Sequence, residues 1–176
     1  MSKRNRIKTA RTVEPQDTMT QRRIRSLTTL YYNRFMLVRY TCAACFFGNF
    51  FLVYLTWGTW IGFVALALMI LALPAFWQLG TMFGKSKVKY QWIKLYTPVQ
   101  WVFNAALFVL IWTVPMTHVF PFFSETPIGR ATAAAFVGIG LIMLTLSNLR
   151  LHKIDSNTDK TFRQIKFYEE KYNLTI

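Results

Sequence analysis

The side chains best equipped for chemistry are Cys42 and Cys45, a Cys-x-x-Cys pair in "YTCAACFF". In a thioredoxin-like site such a pair opens a helix beside a sheet, and its stabilised thiolate attacks disulfides. A zinc ion would want four ligands, and His118 and His152 are the only imidazoles in the chain. The surroundings decide the matter. From Thr41 to Gly84 there is no Asp, Glu, Lys, Arg or His, so both thiols open a long uncharged block. An apolar setting suppresses the thiolate and its reactivity. The two cysteines then read as small residues that pack between helices.

Other chemistry is equally thin. The chain has no nucleotide-cradling Gly-rich loop, no Ser/His/Asp set and no carboxylate pair. His118 and His152 fall near opposite ends of the apolar blocks and cannot converge on one ion with the thiols. The reading is of a protein that is not an enzyme, with no catalytic residue, cofactor or metal of its own.

The elements that hold these residues follow from composition. Charged residues make up 16% of the 176-residue chain and hydrophobic ones 53%, whereas a water-facing surface calls for about 25% charged residues. The net charge is +14, which in another protein would point to phosphates. Its distribution argues against nucleic acid. Ten Lys and Arg precede Thr41, four lie between Lys85 and Lys94, six follow from Arg150, and Arg130 stands alone. Basic residues therefore fill alternate gaps between apolar blocks, as a membrane topology signal does.

Four blocks approach the roughly 20 apolar residues that cross a bilayer: about 40–57, 60–83, 99–120 and 131–149. Runs such as "GFVALALMILAL" require helices, since lipid offers backbone groups no other partner. The fold class is all-α, an integral membrane four-helix bundle at 40–149. Positive loops stay inside, which places both termini in the cytoplasm of a multi-pass protein of the cell membrane. Trp57, Trp60, Trp92 and Trp101 flank the blocks, where indoles favour the headgroup layer. Pro74 and Pro115 are expected to bend spans two and three.

Residues 1–20 read as a disordered basic tail. From 21 to 39 a basic amphipathic helix is expected, with Ile24, Leu27, Tyr31, Phe35 and Val38 on one face. Arg22, Arg23, Arg25, Arg34 and Arg39 are its candidate contacts to the headgroups of an anionic inner leaflet. Residues 150–176 form a second tail with a short helix from about Thr158 to Tyr172, capped by Ser156 or Asn157. Its stripe of Phe162, Ile165, Tyr168 and Tyr172 faces the protein, the bilayer or a partner.

Within the spans, Asn49 and Asn104 lie deep enough to hydrogen-bond between helices, with a polar substrate lining as the alternative. Ala134 and Gly138 have small-xxx-small spacing, which lets another span or a second copy approach closely.

The stretch "RRIRSLTTLYYNRFMLVRY", the four apolar blocks and the tail "FRQIKFYEEKY" resemble a group of uncharacterised small four-span membrane proteins of Gram-positive bacteria. That resemblance is general and carries no catalytic motif. The expectation is a non-catalytic accessory or scaffold subunit, with a membrane-protein partner or self-association. The alternative is a small transporter or channel component whose pathway forms on oligomerisation.

Overall fold

The computed structural model describes residues 16–81 and 90–172. Most of the expected disordered tail and of the basic loop after the second span lies outside these residues; 16–20, expected to be disordered, are helical. Among the described residues the regular structure is entirely helical. In chain order the elements are α1 (Gln16–Arg34), α2 (Met36–Leu55), α3 (Trp60–Thr81), α4 (Gln91–Thr113), α5 (Met116–Val119), α6 (Pro127–Asp155) and α7 (Lys160–Tyr172).

Helices α2, α3, α4 and α6 are long and apolar enough to cross a membrane. At 1.5 Å per residue, α2 to α4 are about 30–35 Å long, matching a hydrocarbon core of about 30 Å. The architecture is that of a multi-pass membrane protein. Helix α3 packs against α2 and α4, and α6 packs against the same two. The four therefore form a ring in which α2 and α4 face each other across the diagonal.

The junctions follow local chemistry. Phe35 separates α1 from α2, its N–H turning back three residues to the Tyr32 carbonyl. Between α2 and α3 the chain reverses through Gly58, whose φ of +83° suits glycine. Thr59 Oγ1 accepts from Gly62 N, capping α3. Thr126 caps α6 in the same way by accepting from Gly129 N, with Pro127 in the first turn.

Two sequence expectations are corrected here. Pro115 does not bend the third span but ends it. Val114 is extended (φ −121°, ψ 151°), as the residue before a proline tends to be, and a separate short helix α5 follows. The third span instead starts early, at Gln91, and runs through Pro98. The cap of α7 is also neither Ser156 nor Asn157. Asp159 takes that role, with Oδ2 accepting from Phe162 N at 3.3 Å.

Two apolar clusters fill the ring. One holds Val38, Cys42, Cys45, Ala75, Ile93, Tyr96 and Leu144, near the end where α1 and α7 sit. The other holds Ile61, Leu107, Ile111, Met116, Val119, Ala133 and Ala134, at the opposite end. The outward faces carry large apolar side chains, with Tyr54 and Trp77 at least 75% exposed. Such faces suit lipid and not water.

Candidate functional site

Two places combine polar chemistry with accessible space. The first is the platform at the end of the bundle where α1 and α7 pack together. Its centre is Arg34, the last residue of α1. The guanidinium Nε lies 3.0 Å from both oxygens of Asp159, and Nη2 donates to Asp159 Oδ1, Asn157 Oδ1 and the Ile154 carbonyl. Charge-assisted bonds of this forked kind are both strong and directional. Tyr31, one turn earlier, donates from its hydroxyl to Glu169 at 2.9 Å. Burial, and then the Glu169 carboxylate, push the Tyr31 phenol up to about 12. Ile165 is fully buried between the two helices, as is Leu27.

Lys94 and Tyr90, at the start of α4, tie the same end to α6. Both reach Asp155, at 2.6 and 3.0 Å. These bonds, from Lys94 first, hold the Asp155 carboxyl below its ordinary range.

Of the five arginines assigned to headgroup contact, Arg34 is the correction. It is 7% exposed and turned into the protein, because Asp159 supplies a buried counter-charge. Arg39 is half-buried, with its guanidinium 3.5 Å from the centre of the Tyr32 ring. Arg22, Arg23 and Arg25 are exposed, and Arg23 lies over the Tyr172 ring. Arg22 and Arg25 line a groove between the two helices together with Ser26, Thr29, Gln164 and Tyr168. The aromatic stripe of α7 faces α1: Phe162 lies under Arg34, and Tyr168 stacks on Tyr172.

The second place is inside the ring. Asn49 of α2 and Gln100 of α4 exchange hydrogen bonds across the diagonal: Asn49 Nδ2 donates to Gln100 Oε1 at 2.9 Å, and Gln100 Nε2 donates back to Asn49 Oδ1 at 3.2 Å. Both residues are 3% exposed or less. Gln100 Nε2 also reaches Asn104 Oδ1, one turn along α4, at 3.4 Å. Asn104 is half-buried. These three carboxamides border a cavity of about 620 Å³ between α2 and α6, whose other walls are apolar.

The structure thus brings Asn49 and Asn104 together and adds Gln100, which the sequence reading left aside. Its position four residues before Asn104, on the same helical face, was the available signal. Ala134 is buried in the far cluster, and Gly138 lies against Phe108 of α4. The small-residue face therefore meets a span of the same chain, while Ala131 and Ala135 are exposed.

Cys42 and Cys45 are free thiols, buried among apolar neighbours. His118 is exposed on α5 and His152 is exposed near the end of α6, at opposite ends of the bundle. Among the described residues no group of His, Cys, Asp or Glu is placed to hold a metal ion. Comparison of the chain with family models, with curated proteins and with solved structures finds no match.

Proposed function

We propose that the chain is a non-catalytic integral membrane subunit, an accessory or scaffold component, that presents its joined tails to a membrane-protein partner. In this reading the basic end faces the cytoplasm, since alternate loops carry nearly all of the positive charge. The membrane is then the plasma membrane, and Arg22, Arg23 and Arg25 rest against its anionic leaflet.

The observation that carries this reading is the buried Arg34–Asp159 pair. A tail serving only as a topology anchor needs exposed charge and nothing more. Removing two charges from water costs several kcal/mol per ion before their attraction offsets it. The return on that cost is a fixed geometry between α1 and α7, which has a use if something recognises the pair of helices as one surface.

Crosslinking in native membranes tests the proposal. A single stoichiometric partner should be captured by the wild type and lost in Arg34→Ala, with no solute flux through the purified protein in liposomes. Absence of any stoichiometric partner would remove the reading. The alternative, a transporter or channel component, draws on the carboxamide group at mid-depth. Reproducible flux that requires Asn49 or Asn104 would establish it instead.

A further inference from the structure

The cavity between α2 and α6 has a shape and a polarity that the scaffold role does not use. Its volume, about 620 Å³, lies within the range of small-molecule sites, roughly 300–1,000 Å³. Along α2 it runs from Ala44 to Leu55, a rise of about 17 Å. Phe120, Phe122 and Phe123 bound it at the end away from the platform, and Met143 lies toward the platform. None of its lining residues is charged. Among the three carboxamides on its wall, Asn104 is the one whose donor nitrogen is wholly unused among the described residues. Asn104 uses its Oδ1 to accept from Gln100, and among the described residues its Nδ2 donors meet no acceptor.

A glycine lines each wall of the cavity. A Cβ at Gly140 would come within 3.0 Å of Asn104 Nδ2, pressing on the donor. At Gly48, on the opposite wall, a Cβ would meet nothing within 4 Å, so any larger side chain there projects into open space.

We infer that this cavity binds one neutral, chain-like lipid whose carbonyl or hydroxyl oxygen accepts a hydrogen bond from Asn104 Nδ2. Depth and size select that occupant. Asn104 stands nine residues, about 14 Å, from the end of α4 at Thr113, near the middle of the hydrocarbon core. A phospholipid keeps its charged head and ester oxygens at the interface, and the cavity offers a charged head no counter-charge. A partner's transmembrane helix, or that of a second copy, is 10–12 Å wide and needs a groove along the whole span, about twice the length available. A neutral lipid with one acceptor can lie at this depth, its chain along Phe51 and Phe136 and its oxygen on the amide.

The test uses the full-length protein in phosphatidylcholine nanodiscs and a long-chain methyl ketone carrying a diazirine in its chain. On illumination, label should concentrate on peptides of α2 and α6 that line the cavity. The unlabelled ketone should compete about fivefold better than the alkane of equal length, as one net hydrogen bond allows. Asn104→Leu should erase that difference while leaving apolar competition intact. Gly48→Leu should lower labelling itself. Label spread evenly over the outer faces, including that around Trp77 of α3, would overturn the inference. Equal competition by ketone and alkane in the wild type would do so too, as would labelling unchanged in Gly48→Leu. If Gly48→Leu does not elute as the wild type does, the ketone–alkane comparison in Asn104→Leu decides alone.

Discussion

Arg34 and Asp159, 125 residues apart in the chain, meet in an ion pair whose side chains are 8% and 0% exposed. The carboxylate also caps α7, so one side chain both starts that helix and fastens it to α1. Arg34→Ala strands a buried carboxylate, a change that costs about 3–5 kcal/mol in comparable sites. Amide exchange across α7 should then accelerate by more than tenfold while α3 is unaffected. The double variant Arg34→Met, Asp159→Asn keeps a capping oxygen and leaves no unpaired charge. It should recover most of the protection.

That pair marks the boundary of what could be read before the fold was known. The four spans were legible because lipid imposes length and apolarity on each segment by itself, with no reference to a neighbour. The ends of the third span were not. Pro115 was visible, but whether it bends or ends a helix depends on what the chain does next. Here α5 and the Phe120–Phe123 turn pack back onto the bundle. Helical spacing groups Arg34 with its exposed neighbours, since it cannot disclose a counter-charge in another tail. Asn49 and Asn104 were legible as rare polar residues at depth. Their meeting through Gln100 required the ring order of the helices, which periodicity does not specify.

Tyr31 supplies a pH response on the alkaline side. Its ordinary value is 10 and its folded value about 12, so the folded state retains the phenolic proton over a range where the unfolded chain has lost it. The contribution is complete below pH 10 and is lost as pH rises from 10 to 12. Phenolate absorbance should show a late-titrating component in the native protein that shrinks by one tyrosine in Tyr31→Phe. The same variant should flatten the fall in α7 protection over this window.

Cys42 and Cys45 should resist modification. Both are buried in the cluster formed with Val38, Ala72 and Leu144, and thiolate formation is disfavoured in apolar surroundings. Maleimide applied to intact membranes should label neither, and label should appear in full after denaturation in dodecyl sulfate. A Cys42→Ala, Cys45→Ala double variant should keep the oligomeric state and the crosslinked partner of the wild type. Rapid labelling in intact membranes would show that these sulfurs are open to reagent, and would revive a chemical role for the pair.

The Asn49–Gln100 pair is best read through a double-mutant cycle. Replacing Asn49 with Leu removes one partner and leaves the Gln100 amide buried with nothing across the diagonal. An abandoned buried polar group costs about 1–3 kcal/mol, and Gln100→Leu should cost a similar amount for the same reason. The double variant replaces two amides by two apolar side chains of comparable length, so no polar group is stranded. It should be less destabilised than the sum of the single variants, with a coupling of about 0.6 kcal/mol, the average for hydrogen bonds between transmembrane helices, and no more than about 1.7 kcal/mol. Steric trapping or forced unfolding in bicelles measures each corner of the cycle. Additive losses would mean that the two amides do not interact in the membrane. The α2–α4 diagonal would then be held only by the packing of α3 and α6 on either side.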